Sequence, residues 1–314
     1  MIRHRKKVIH FGRITARNIL CMAILSILLA GGVFFLARGV LTSKILSWNG
    51  DRLQVVFYQE YSEMVSIDRR DLLHSRMQFN PDTRVLVPGG FGYYRVGSLG
   101  KLIRYQKDKT LFSKAFSSST GSMISIVFYP RKETIYYSND KEDLKKPLTK
   151  REMITSVFFN ETDGSFIDRI ILGYMLFGLP MENIERLEPS GIIREGKEYV
   201  SMDAVLHKSM GYWFQRAFRK EDKTVQIAYE HSYSTAQLVS IVIEGSGIRV
   251  VDLAEQKKRP TCEVWETGEK SKTAEQLVSY FSCVYVHKRP PISDILFVLG
   301  PVEEKWLIHS DTIQ

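Results

Sequence analysis

Apolar residues run almost unbroken from Ile19 to Leu41. No charge falls between Ile19 and Ala37, Ser26 is polar, and Arg38 is followed by Gly39, Val40 and Leu41. A bilayer core about 30 Å thick needs about 20 such residues as helix. Gly31-Gly32 would weaken a soluble helix but is common in membrane ones. The pattern predicts a transmembrane anchor over 19–41. The competing reading is a cleaved signal sequence, whose apolar region usually spans about 7–15 residues and ends on small side chains. Here the run is longer and ends Leu36-Ala37-Arg38.

Beyond residue 42 the pattern breaks into short runs. Leu53–Tyr58 and Met64–Ile67 are rich in β-formers and predict strands, Leu72–Phe79 continues the sheet, and Val85–Val87 is a short strand before the Pro88–Gly92 loop. Leu99, Leu102, Ile103, Leu111, Phe112 and Phe116 fall at helical spacing, which predicts one helix over Tyr94–Phe116 and a loop over Ser117–Gly121. Met123–Tyr129 reads as a strand. Ile167, Ile170, Ile171, Tyr174 and Met175 form a helical stripe closed by Gly178-Leu179-Pro180, read as core rather than as the wall of a lipid pocket. Lys208–Phe218 reads as a further helix. From about Thr235 to His309 the order is β-α-β-α-β-β: strand Val239–Ile243, helix Ile248–Lys258, strand Cys262–Trp265, helix Lys272–Phe281, and strands Cys283–Val286 and Ile295–Leu299.

Charge sharpens this picture. Of 44 Lys and Arg, eight lie in residues 1–50, which hold no Asp or Glu; the rest of the chain carries 36 basic against 35 acidic residues. Six of the eight precede Ile19. This bias predicts a cytoplasmic N-terminus with everything past the anchor outside. The basicity therefore belongs to topology, and no nucleic-acid partner is expected. Cys262 and Cys283 lie on the outer side, where they either pair or remain buried thiols. No CxxC or HExxH spacing points to a metal. Gly97-Ser98-Leu99-Gly100-Lys101 is too short for a P-loop, and Val250 replaces the third glycine after Gly245-Ser246-Gly247.

Two stretches resemble a known family. Val239–Ile248, reading VSIVIEGSGI, is similar to the opening of the LytR C-terminal domain, with Glu244 in place of its Asn; Ser293–Gly300 is similar to its last strand. Met64-Val65-Ser66-Ile67-Asp68 resembles the Leu-Val-Ser-Ile-Asp strand of LytR-CpsA-Psr (LCP) proteins, and Phe79-Asn80-Pro81-Asp82-Thr83 stands where that family has Ile-Pro-Arg-Asp-Thr. Val87–Gly90 and Tyr94–Ser98 fall at its Lys-Leu-Asn approach. Tyr58-Gln59-Glu60-Tyr61 replaces its Arg-Ser-Asp-Thr. The resemblance implies an LCP-like α/β domain followed by a small α/β LytR C-terminal-like domain. It also implies transfer of a glycopolymer phosphate from a polyprenyl pyrophosphate carrier to the cell wall. Carboxylates would hold a divalent metal and arginines would hold the phosphates.

The resulting expectation is a cytoplasmic basic arm over 1–18, the anchor over 19–41, an LCP-like extracytoplasmic domain over 42–232 and a LytR C-terminal-like domain over 233–314. The protein would sit in a bacterial cell membrane by a single pass. Asp82 and Glu60 are the candidate catalytic carboxylates, and Arg84, Arg95 and Lys101 the candidate phosphate ligands; Mg2+ is expected only if the chain is a transferase. Pro81 and Tyr58 replace two arginines, so the reading favours a degenerate, non-catalytic binder of carrier lipid, glycan or an envelope protein over an active phosphotransferase.

Overall fold

The computed structural model describes residues 16–70, 73–132, 134–137, 147–189, 191–200, 205, 211–257 and 259–308. The chain divides into two compact units, residues 1–42 and 43–314. The first contains one described helix, α1 (Ala16–Leu41). Its stretch Cys21–Leu41 is long and apolar enough to cross a membrane. The side chains there are bare, with Ile27 and Phe34 each 70% exposed. The Ser26 hydroxyl donates to the Met22 carbonyl at 2.8 Å, so the polar group in this run is satisfied within the helix, as hydrocarbon surroundings require.

The second unit is mixed α/β, as expected. Strands β1 (Arg52–Phe57), β2 (Ser62–Asp68), β3 (Ser75–Phe79), β6 (Ile126–Tyr129), β7 (Glu161–Thr162) and β8 (Glu185–Leu187) form one sheet in the order β7-β6-β1-β2-β3-β8. Every residue of β1 and β2 is buried, so helices cover both faces. Alternation sorts the side chains. Val55, Phe57, Val65 and Ile67 pack with α4 (Lys150–Phe159) and α5 (Phe166–Gly178). Val56, Tyr58, Met64 and Phe79 pack with α2 (Leu99–Gln106) and α3 (Thr110–Thr120). A small second sheet joins β4 (Arg84–Val87), β5 (Gly92–Arg95), β9 (Gly191–Arg194) and β10 (Lys197–Val200) in the order β5-β4-β10-β9.

The third sheet takes β11 (Thr224–Tyr229), β12 (Arg249–Glu255), β13 (Glu263–Glu266), β14 (Val284–His287) and β15 (Ile295–Val298), ordered β12-β11-β15-β13-β14. The helices beyond residue 211 are α6 (Arg216–Glu221), α7 (Tyr233–Gly245), α8 (Lys272–Phe281) and α9 (Pro301–Lys305). Cys262 and Cys283 each precede a strand, and β13 and β14 are parallel neighbours with Glu263 opposite Val284. The cysteines therefore face each other and are bonded, with Cα atoms 4.8 Å apart.

Five expectations are corrected. The stripe Ile167, Ile170, Ile171, Tyr174 and Met175 is not a core stripe: Ile170 and Tyr174 are exposed, and the buried face of α5 is Asp168, Leu172 and Leu176. Val239–Ile243 is not a strand but part of α7, capped at its start by the Ser232 hydroxyl, which accepts from Thr235 N. A short, wholly buried apolar run reads alike as strand or helix, and here every residue from Leu238 to Ile243 is buried. Ile248–Lys258 is not a helix; β12 occupies it as an outer strand beside β11. The strand, turn and helix expected from Val239 onward are therefore absent at that position; α7 is instead preceded by β11 and Glu230–Ser232. Tyr94–Phe116 is not one helix: β5 ends at Arg95, and α2 stops at Lys107, whose backbone is left-handed (φ 56°). Ser117–Thr120 is not loop but the end of α3, because α7 crosses there; a Cβ on Gly245 would overlap the Gly121 carbonyl. The helix expected over Lys208–Phe218 falls partly outside the described residues, and α6 begins at Arg216.

Candidate functional site

Asp82 is placed by an Asx turn, in which the Asn80 side chain accepts from Asp82 N at 2.9 Å. Arg95 ends β5. Its Nη2 donates to Asp82 Oδ1 at 2.6 Å and to the Tyr136 carbonyl at 3.0 Å, and its guanidinium lies 4.4 Å from the Tyr137 ring centroid. Arg84 stands opposite Arg95 on β4 and 5.6 Å from the Tyr199 ring centroid. Three of the five candidates therefore gather. Glu60, exposed in the turn between β1 and β2, touches the group only through charge: burial first, and Glu60 after it, push the Tyr136 phenol above its ordinary pKa. Lys101 stands apart, exposed in the first turn of α2, its side chain without a hydrogen bond or ion pair among the described residues.

The cluster is open, and its one carboxylate is paired with Arg95. Asp82 keeps half its side chain exposed, and such a surface pair contributes roughly 0–1 kcal/mol. Asp82 offsets Arg95 and Arg84 lies against the Tyr199 ring, so the gathered group holds one guanidinium beyond its ion pair, less than the paired charges of a pyrophosphate call for. None of the five candidates lines the larger cavities of the unit. A divalent ion does not fit this donor set either. The Asp82 carboxylate is taken by Arg95, and among the described residues no three His, Cys, Asp or Glu converge as a metal site.

Pro81 and Tyr58, where the resemblance implies arginines, are both taken up in packing. Pro81 is buried, and its carbonyl accepts from Gly97 N at 2.9 Å. Tyr58 is 2% exposed; its hydroxyl accepts from Gly100 N at 3.0 Å at the start of α2. Its ring packs 4.6 Å from Phe112 and 5.8 Å from Tyr136. Burial pushes its phenol well above the ordinary tyrosine pKa, so it stays neutral. The cavity beside it, bounded by Gly100, Ile103, Phe112 and Tyr129, is only about 20 Å³, space for about one water and none for a polyprenyl chain.

Sequence reasoning missed a different site. A cavity of about 490 Å³ lies between Lys44–Trp48, the start of α3, the end of α8 and α9. Lys114 enters it from α3 with its side chain 11% exposed, 3.6 Å from Asp108. Burial holds its pKa below the ordinary lysine value, Asp108 opposes this, and Lys305 adds to the depression. The legible signal was a lysine on the apolar side of a helix, beside Leu111, Ala115 and Ser118.

Neither a family model nor a curated relative matches the chain. Solved structures do. The LytR-CPS2A-psr family protein TagT with bound octaprenyl pyrophosphate lipid is 12% identical, with TM-score 0.34, over 51% of this chain and 88% of that one. Bacillus subtilis TagT matches at 11% identity and TM-score 0.34, over 51% and 88%. A transcriptional regulator from Enterococcus faecalis matches at 6% and 0.36, over 52% and 86%. Over about half its length, then, the chain is similar to proteins of the LytR-CPS2A-psr family, the same family that its motifs resemble.

Proposed function

We propose that this chain is a membrane-anchored cell-envelope protein that binds a phosphate-bearing glycan or lipid headgroup without transferring it. The observation carrying this reading is the contrast between two sites. Where the resemblance requires arginines and an open lipid cavity, Tyr58 fills the core and Asp82 neutralises Arg95. Where no motif pointed, a cavity of about 490 Å³ holds Lys44, Lys114 and Lys305, within the size range of small-ligand sites. Asp163 pairs Lys44 at 2.6 Å and Asp108 faces Lys114; among the described residues Lys305 has no ion pair, which makes it the surplus charge for an anion. The Cys262–Cys283 bond supports an oxidising, extracytoplasmic location for the folded unit. The LCP-like and LytR C-terminal-like halves belong to this proposal, the second taking in β11 as well as residues 233–314.

Two measurements test it. Full-length protein with a polyprenyl-pyrophosphate-linked glycan and Mg2+ is expected to release no phosphate and transfer no glycan. Turnover abolished by Asp82→Ala or Arg95→Ala would restore the phosphotransferase reading. Binding of the same donor, read by the fluorescence of Trp48 and Trp306 in the cavity wall, is expected to weaken at least tenfold in Lys305→Met. Unchanged affinity would remove the cavity from the proposal.

A further inference from the structure

Helix α5 is apolar on two opposite faces. Leu172 and Leu176 enter the core with Asp168. On the other side Phe166 is 48% exposed, Ile170 46%, Tyr174 82% and Phe177 75%. Their spacing of four, four and three residues is one helical stripe. Phe158 and Phe159 of α4 are exposed as well, and Phe158 packs over Gly173, where a Cβ would approach its ring within 2.8 Å. Beside the stripe an apolar groove of about 720 Å³ runs along Ile45, Leu46, Ile171, Met175 and Phe177. An exposed apolar stripe running beside an apolar groove marks an interaction site.

The chain itself names the occupant. Asp168, in the first turn of α5 and fully buried, accepts from the Ser43 hydroxyl at 2.5 Å, Ile45 N at 2.9 Å and Lys44 N at 3.2 Å. The residues that open the folded unit are therefore clamped to the start of α5. Ser43 is two residues past Leu41, a reach of about 8 Å at 3.8 Å per residue. If α1 crosses a bilayer, the start of α5 cannot be far from its surface. The polar ends of the helix are also closed: the Ser165–Asp168 capping box satisfies the first turn, and Lys150 Nζ donates to the Phe177 carbonyl at 3.1 Å. Aromatic and aliphatic side chains along one face are what an interfacial helix presents, sunk about 5–10 Å into the headgroup boundary.

We propose that the stripe Phe166, Ile170, Tyr174 and Phe177, with Phe158 and Phe159, lies in the interfacial layer of the bilayer that α1 crosses. The inference rests on the membrane-anchor reading above. The test uses the full-length chain in vesicles with Cys21→Ser as background and single Phe177→Cys, Ile170→Cys or Tyr105→Cys substitutions carrying an environment-sensitive fluorophore. Tyr105, 83% exposed on α2, is the control. Headgroup spin-labelled lipid is expected to quench positions 170 and 177 several-fold more than 105. Equal quenching in protein that resists alkaline extraction would overturn the stripe and leave the anchor standing. Release by alkaline extraction would overturn the anchor reading, and the stripe with it. Shielding of 177 that grows with protein concentration and ignores the lipid quencher would assign the stripe to a second copy of the chain and overturn the proposal.

Discussion

The two faces of the six-stranded sheet differ where they meet the surroundings, not where they meet the sheet. Inward, both helix pairs bring aliphatic and aromatic side chains. Outward, α2 and α3 expose Lys101, Arg104 and Lys109, ordinary solvated positions, whereas α5 exposes the stripe from Phe166 to Phe177. Core packing explains the inner surfaces of both pairs. The outer surfaces report on the environment, and they report water on one side and an apolar partner on the other. The α2–α3 side is also where the motif resemblance placed chemistry, and there Tyr58 closes the interior. Beside α5, where no motif fell, an apolar groove stays open.

The α5 side depends most on Asp168. Replacing it by Ala leaves Ser43, Lys44, Ile45 and Ser165 donors without their buried acceptor. The expected loss is about 3 kcal/mol of unfolding free energy, read from denaturant midpoints in detergent; a change below about 1 kcal/mol would mean that the clamp on α5 is not holding. A smaller effect belongs to the other face. Tyr58→Phe removes the acceptor for Gly100 N and is expected to cost about 1 kcal/mol. An increase in stability would show that this hydroxyl is strained rather than structural.

A pH dependence is expected at His74, which lines the groove beside α5. It is 3% exposed, its Nδ1 accepts from Asp68 N at 3.2 Å, and burial lowers its pKa. Unfolded histidine gains its proton near pH 6.5, the folded one only at lower pH. The unfolded chain therefore binds more protons in that window, and stability falls as pH drops below about 6.5. His74→Gln is expected to flatten the slope, and an unchanged slope would assign it elsewhere. Smallest of all, Arg95→Ala should change stability by less than about 1 kcal/mol, because its partner is half-exposed. A larger loss would show that the Asp82 cluster is structural rather than superficial.

By itself the sequence determined whatever depends on near neighbours. The 19–41 apolar run, the strands at Leu53 and Met64, helix Lys272–Phe281 and the cysteine-led strands follow from local period and composition, and each stands in the structure. α7 read as a strand because nearly every side of it is covered and its faces show no contrast, whereas β12, a half-exposed outer strand, read as a helix because only its pairing with β11 places it in a sheet. Only the tertiary structure decided the site. Asp82, Arg84 and Arg95 are brought together around the β4–β5 ladder, where Asp82 pairs with Arg95. Lys44, Lys114 and Lys305 come from three distant stretches that meet only when the third sheet packs beside α3. Local pattern records which side chains avoid water, and the direction of a charge is set by elements far away in the chain.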